Sequence, residues 1–400
     1  MGNSEIIVVL STNREYVINC YITIYTISVH CNKENKYIIF VLENDLDDNS
    51  ISLLEGLSRD YIKVTCKNVS KYINHDELKN RGYLSVETYF RLYIPLIIPK
   101  YRKVIYLDSD LCVLGDIEEL YNYSVEDKVV GAVRDVPTTN IKNHYKQISE
   151  DTIAYPFNAG VLLIDVEKFE REFVRQKCIE LLKIDNERTK KLYTYADQDA
   201  LNIVLDGKVF FLDGIWNSQV QYINRIQVIE ESFREQYRAN INSAKILHFA
   251  GGDKLWLYPQ YKQARVFWEY AKDTPVFNEL LVRSFEKVRT IAFERYHFPY
   301  DLIPYGSRIV IYGAGKTGQM FSQQMKLTRY AKVVLWVDKK WENIDEPMGV
   351  VSPERIKDCD YDYVLIAINR KEIADKVREK LVGYSIPIDN IVWRQYESMV

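Results

Sequence analysis

Two aspartates one residue apart, Asp108 and Asp110, directly follow the apolar run Val104–Leu107 in KVIYLDSDLCV. Carboxylates at the carboxyl end of a buried strand stand where an open α/β sheet forms its ligand crevice. Such a pair can hold Mg²⁺ or Mn²⁺ and leave coordination positions for phosphate oxygens. The spacing alone says little, because the chain has four further Asp-x-Asp pairs, at Asp45/Asp47, Asp197/Asp199, Asp358/Asp360 and Asp360/Asp362. A polar turn uses the same residue types, and only the strand-end setting separates Asp108 and Asp110 from the rest.

A second group is RIVIYGAGKTGQ, in which Gly313, Gly315 and Gly318 have GxGxxG spacing between a strand and a helix. Asp338 ends the next strand, 20 residues after Gly318, the separation expected of an acidic ribose contact in a dinucleotide-binding unit. Two isolated residues complete the chemistry. Arg91 lies among Tyr89, Phe90, Leu92 and Tyr93 on a helix expected to open at Ser85; buried there it needs an anion, either a ligand or a structural carboxylate. His248, beside Phe249, is either a packed histidine or a ligand for a transition metal.

The elements that must position these residues are legible as buried strands at Ile6–Leu10, Tyr37–Leu42, Val104–Leu107, Val129–Val133 and Val161–Ile164, with helical patterns between them. That alternation predicts an α/β sheet domain. From Thr274 as N-cap and Pro275 at the first turn, Phe277, Leu280, Leu281, Phe285 and Val288 recur at helical spacing to about Tyr296. Arg283, Lys287, Arg289 and Arg295 on this helix would suit peripheral contact with an anionic membrane, although most amphipathic helices pack on their own domain. Pro299, Pro304 and Gly306 then mark a linker. A second α/β pattern follows: strand Arg308–Tyr312, helix Lys316–Met325, strands Val333–Asp338 and Tyr363–Ile368, helix Lys371–Leu381 and strand Ile391–Trp393. The division expected is 1–275, 276–305 and 306–400.

Bulk properties limit the partners. A net charge of −3 over 400 residues provides no general attraction to nucleic acid, so none is expected. The six cysteines are scattered, without CxxC spacing, and read as reduced core residues rather than zinc ligands. The N-terminal apolar run, Ile6–Leu10, is too short for a signal or a span, which makes a cytoplasmic protein, at most at the inner face of a membrane, the expectation.

The blocks VVLSTNREY, TYFRLYIP, YLDSDLCV, FNAGVLLID, YADQDALN and HFAGGDKLW follow one another across residues 5–275. In this order they resemble glycosyltransferase family 8, the family of glycogenin and of bacterial glucosyl- and galactosyltransferases. The resemblance implies a GT-A catalytic domain, a Rossmann-like mixed sheet. It also implies a UDP-glucose or UDP-galactose donor, Mn²⁺ with Mg²⁺ as the alternative, and transfer with retention. By the same resemblance Asp108, Asp110 and His248 hold the metal. Asp197 binds hydroxyls of the donor sugar, Gln198 lies beneath the reacting face, Asp199 supports them, and Arg91 reaches the donor; Asp197, Gln198 and Arg91 form the implied catalytic group. Thr12, Asn13, Tyr16 and Ser109 belong to the nucleotide end, with Tyr16 able to stack on the base. Asn158 and Ala159, expected just before a strand, contact the sugar and acceptor side, and Gly251, Gly252 and Lys254 meet the diphosphate. Two departures are Asn13, where the family commonly has Asp, and Lys254-Leu255-Trp256, where it has Lys-Pro-Trp.

The C-terminal region resembles the small Rossmann-like domains of bacterial sugar-nucleotide enzymes, with Gly313, Gly315, Gly318 and Asp338 available to a nucleotide. The function implied is hexosyl transfer to a glycan or lipid-linked saccharide in surface polysaccharide synthesis. A noncatalytic sugar-nucleotide sensor, or a bifunctional enzyme with a nucleotide-dependent C-terminal domain, are the competing readings.

Overall fold

The computed structural model describes residues 4–73, 85–148, 153, 155–187, 193–223, 225–251, 254–257, 261–284, 298–343 and 349–394. The chain divides into two compact units, Met1–Leu281 and Val282–Val400.

The first unit is built on strands β1 (Glu5–Ser11), β2 (Lys36–Glu43), β3 (Ile62–Asn68), β4 (Lys103–Leu107), β5 (Leu111–Val113), β6 (Val130–Arg134), β7 (Phe157–Asp165), β8 (Val209–Phe211), β9 (Ser218–Gln219) and β10 (Ile246–His248). Its main sheet has the order β3-β2-β1-β4-β7-β6-β8. Strands β3, β2, β1 and β4 are parallel, whereas β7 runs antiparallel to both β4 and β6. Successive side chains of a strand point to opposite faces, so Ile6, Val8 and Leu10 enter one core while Ile7 and Val9 enter the other. The helix Val17–His30 packs into the first core, and Ala200 and Leu201 of the helix Asp197–Val204 into the second. With both faces covered, the central strands read as continuous apolar runs.

Strand order reverses between β1 and β4, the switch point at which open α/β sheets leave a crevice beyond their carboxyl ends. Thr12 and Asn13 leave β1 there, and Asp108–Asp110 leave β4. A small second sheet, β5-β10-β9, closes against it.

The second unit holds β11 (Arg308–Tyr312), β12 (Lys332–Val337), β13 (Tyr363–Ile366) and β14 (Ile391–Val392) in an all-parallel sheet of order β12-β11-β13-β14. Ile309 and Ile311 meet Phe321 and Met325 on one face, and Val310 and Tyr312 meet Ile356, Ala374 and Leu381 on the other.

Three local expectations are corrected. The segment carrying Arg91 is a 3₁₀ helix, Val86–Tyr93, and the Ser85 side chain makes no cap bond. Asn158 and Ala159 lie inside β7 rather than ahead of it. After Thr274 the helix begins only at residue 277, because the Thr274 hydroxyl donates back to the Ala271 carbonyl (2.7 Å) instead of capping forward. Most of that helix, with Phe285, Lys287, Val288, Arg289, Arg295 and Tyr296, lies outside the described residues. All six cysteines are free. No helix among the described residues is long and apolar enough to cross a membrane.

Candidate active site

The register of β10 against β5 sets His248 opposite Leu111, and the Phe249 amide donates to the Asp110 carbonyl (3.0 Å). His248 is thereby delivered to the two aspartates. Its Nε2 lies 3.3 Å from Asp110 Oδ1 and 3.8 Å from Asp108 Oδ2. One ligand atom from each residue falls within 4.8 Å of the others.

The tautomer of His248 follows from a chain of bonds. The Gly160 amide, an unambiguous donor, gives its proton to Asn158 Oδ1 (3.1 Å), which also accepts from Asn217 Nδ2 (2.9 Å). Asn217 therefore turns its oxygen to His248 Nδ1 (2.8 Å), so the proton sits on Nδ1 and Nε2 keeps its lone pair toward the aspartates. Two further observations fit a divalent cation. Asp110 Oδ1 is buried without a hydrogen-bond partner, and a Cβ on Gly160 would meet His248 Cε1 at 2.3 Å and Asp108 Oδ2 at 2.8 Å. Two carboxylates and an imidazole are a donor set suited to Mn²⁺. Burial opposes ionisation of Asp110, but the ammonium of Lys254, paired with it, holds the carboxyl well below its ordinary range. Lys254 Nζ also donates to the Phe249 carbonyl (3.0 Å).

Arg91 is the hub beside this cluster. Its Nη2 donates to Asp108 Oδ1 (2.8 Å) and Thr88 Oγ1 (3.2 Å), its Nη1 donates to the Ala159 carbonyl, and the guanidinium lies 4.4 Å from the centre of the Tyr106 ring. The Nε proton goes to the Thr88 carbonyl (2.9 Å), leaving Asp197 Oδ2, 2.9 Å from that nitrogen, as a charge contact without an aligned hydrogen bond. Asp197 Oδ1 accepts from the Thr88 hydroxyl. Burial pushes the Asp197 carboxyl up to about 6 despite the pull of Arg91.

Gln198, the next residue, is held at both ends of its amide. Oε1 accepts from Asn158 Nδ2 and from the Ala159 amide, each at 3.1 Å, and Nε2 donates to Asp135 Oδ2 (3.1 Å). Asp199 is fully buried and accepts from the Tyr195 amide (2.8 Å), with His144 Nε2 2.9 Å away.

At the other end stand Thr12, Asn13, Tyr16 and Ser109. Ser109 Oγ donates to the Ser11 carbonyl (2.5 Å) and Asn13 Oδ1 accepts from the Tyr16 amide (3.0 Å). Gly251 has φ +86°, a conformation that favours glycine; Gly252 lies outside the described residues. Trp256 stacks on Phe267 with ring centres 4.9 Å apart.

One cavity of about 530 Å³ in the first unit is lined by Thr12, Asn13, Tyr16, Arg91, the metal-type triad, Ser109, Asn158, Ala159, Asp197, Gln198, Gly251 and Lys254, whereas Asp199 lies behind its wall. Sequence reasoning missed Glu87, Thr88, Asp135, Asn217 and Gln219. Only Asp135 carried a signal, as an acid just past the apolar run Val129–Val133.

Residues 7–260 match the family model described as Glycosyl transferase family 8. The chain belongs to this family. Among curated relatives, it is 29% identical over 182 residues to General stress protein A of Bacillus subtilis, covering 44% of this chain and 60% of that protein. It is 25% identical over 222 residues to the Lipopolysaccharide 1,2-glucosyltransferase of Escherichia coli, covering 54% of this chain and 64% of that one. The chain thus spans about three fifths of the length of these curated relatives. Among solved structures, the WbbM bifunctional glycosyltransferase aligns with a TM-score of 0.58 at 24% identity, over 70% of this chain and 52% of that one. The galactosyltransferase LgtC, solved with donor and acceptor sugar analogues, aligns at 0.54 and 21%, over 68% and 96%. At these identities the likeness is one of fold, and the fold is GT-A. Residues 305–392 match the model described as C2185-like, N-terminal.

In that C-terminal region Gly313 turns the chain at φ +114°, and a Cβ on Gly318 would lie 1.9 Å from the Gly313 carbonyl oxygen. The Asp338 carboxylate is turned onto backbone, accepting from the Ala314 amide and the Lys340 amide at 2.7 Å each.

Proposed function

We propose that this family 8 chain is a retaining, metal-dependent hexosyltransferase. It moves a hexose from UDP-glucose or UDP-galactose to a glycan or lipid-linked saccharide acceptor, in the synthesis of a surface polysaccharide. The observation that carries the reading is the bare Nε2 of His248 facing Asp110 Oδ1, a buried oxygen without a hydrogen bond, in the cavity that also holds Asp197 and Gln198. The printed names of relatives, among them a Lipopolysaccharide 1,3-galactosyltransferase of Salmonella typhimurium at 26% identity, support a hexose and a saccharide acceptor.

Asp108, Asp110 and His248 hold the cation, Mn²⁺ by their donor set, with Mg²⁺ as the alternative. When bound, it stabilises the negative charge that develops on the leaving diphosphate. Lys254, nearly buried, adds a second positive charge on that side. Asp197 Oδ2 receives no aligned hydrogen bond from the protein, only the charge contact with Arg91, and accepts hydroxyl protons of the donor sugar. Gln198 is a poor nucleophile on two grounds: it is an amide, and its Oε1 already takes two N–H bonds. This favours front-side departure, in which the leaving diphosphate helps take the acceptor's proton, over a covalent glycosyl intermediate. Mass spectrometry that traps a glycosyl adduct on Gln198, Asp197 or Asp199 would overturn that path.

The primary test is calorimetric titration of UDP-glucose, UDP-galactose and UDP into the protein with Mn²⁺ and then with EDTA. Metal-dependent binding that Asp110→Ala abolishes is the expected result. Binding indifferent to EDTA would sink the metal reading.

A further inference from the structure

Glu87 is an acid without an evident reason to be buried. It is 8% exposed, lines the cavity, and stands on the 3₁₀ helix Val86–Tyr93. Among the described residues its carboxylate receives one hydrogen bond, from Asn13 Nδ2 (3.1 Å) to Oε2, and forms no ion pair. A carboxylate removed from water needs more than one neutral donor to offset its desolvation. The remaining donors come from what fills the cavity, water or a ligand.

The polarity of Asn13 says which kind. Its Oδ1 is committed to the Tyr16 amide (3.0 Å), so its amino group faces Ser85 Oγ (3.3 Å) and Glu87. Both side-chain N–H bonds of Asn13 are thus used within the protein, and the acceptor at this end of the cavity is the carboxylate of Glu87. A carboxylate acceptor matches a base edge that presents a ring N–H. Uracil has that edge and guanine has it too. Cytosine presents a lone pair at the same ring nitrogen. The Tyr16 ring, which lines the same end of the cavity, provides a face for the base plane.

We infer that Glu87 is the residue that reads the nucleobase, accepting the N3–H of uracil while Asn13 holds the carboxylate from its other oxygen. The carboxylate that the family commonly carries at the position of Asn13 is supplied here from a different segment, 74 residues along the chain. This inference rests on the proposed UDP-sugar reading and names its specificity determinant.

The test is titration of UDP, CDP and GDP, each with Mn²⁺, into the wild type, Glu87→Gln, Asn13→Asp and the double variant, with thermal unfolding as a check that each folds. Glu87→Gln is expected to lose about tenfold or more in UDP affinity, because Gln turns its oxygen to the Asn13 amino group and its own N–H to the base. The same change should narrow the UDP-to-CDP ratio, since that N–H suits the cytosine ring nitrogen. Asn13→Asp sets two carboxylates face to face and weakens UDP, whereas the double variant restores the complementary pair and brings UDP to within about threefold of the wild type. If the wild type binds UDP but Glu87→Gln leaves both affinity and ratio unchanged, the assignment of Glu87 is overturned and the donor reading stands. A wild type that binds no UDP overturns both. GDP tighter than UDP keeps Glu87 as the reader but overturns uracil as the base read.

Discussion

His248 Nδ1 donates to Asn217 Oδ1 over 2.8 Å, and this one bond decides which ring nitrogen faces Asp108 and Asp110. Outer partners of this kind typically change metal affinity by about 10 to 100-fold when removed. Asn217→Ala should therefore weaken Mn²⁺ by about that factor although Asn217 is not in the ligand cluster, measured by calorimetry or by the EPR signal of free Mn²⁺. Unchanged affinity would show that the tautomer is set some other way.

Gly160 makes a steric prediction. Because an added methyl would overlap His248 Cε1 and Asp108 Oδ2, Gly160→Ala must displace at least one of two proposed ligands. Overpacking of this sort costs about 1–3 kcal/mol. The expected outcome is a lower unfolding midpoint together with Mn²⁺ binding weakened about tenfold or more; an unaltered binding isotherm would refute it.

Asp197 makes a prediction about pH. Its carboxyl, pushed up to about 6 by burial, binds its proton more tightly in the folded chain than in the unfolded one. Stability from this group is thus complete below about pH 4, falls as pH rises toward 6, and is absent above. In metal-free protein, Asp197→Asn should be more stable than the wild type by roughly 2–3 kcal/mol at pH 7 relative to the difference at pH 4. Urea unfolding of both proteins at the two pH values reads this directly, and an equal difference at both would contradict it. The same variant should lose donor binding, because an amide replaces the acceptor Oδ2.

For the C-terminal unit, Asp338→Ala would strip the Ala314 and Lys340 amides of their acceptors. An unmet buried donor costs about 1–3 kcal/mol, which applies to the Ala314 amide but not to the exposed Lys340 amide. Hydrogen exchange across residues 313–319 should accelerate while exchange at residues 108–110 stays as it was; equal protection at 313–319 would mean that the glycine loop does not depend on this carboxylate.

Comparison of sequence and structure separates two kinds of information. The apolar central strands of both units were legible within a residue or two in most cases, because they are apolar on both faces, and Arg308–Tyr312 agrees at both ends; β3, β5, β8, β9 and β10, which are shorter or less apolar, were not legible. Asp108 and Asp110 were legible because they directly follow a strand, whereas His248 stood out only by the resemblance of its block to the family, since the short strand that it ends was not legible. Glu87, Thr88 and Asn217 were not. They come from 3₁₀ turns without periodic patterning, and their roles exist only through partners 31 to 109 residues away. The depth of Asn158 was misjudged for a related reason. Polar residues commonly mark a turn, but here the Phe157 amide and carbonyl are both taken by the Asn202 side chain (2.8 and 2.9 Å), which carries β7 further toward the cavity than its apolar run suggests.

Arg91 touches Asp108 on one side and Asp197 on the other. A cation that draws the negative charge of Asp108 to itself leaves more of the guanidinium's field for Asp197, which then ionises more readily and accepts a sugar hydroxyl better. If both bind as proposed, the two occupancies are linked, and by reciprocity the sugar would tighten the ion as much as the ion tightens the sugar. On the proposed reading, a single shared side chain would make the cleft cooperative without any moving part.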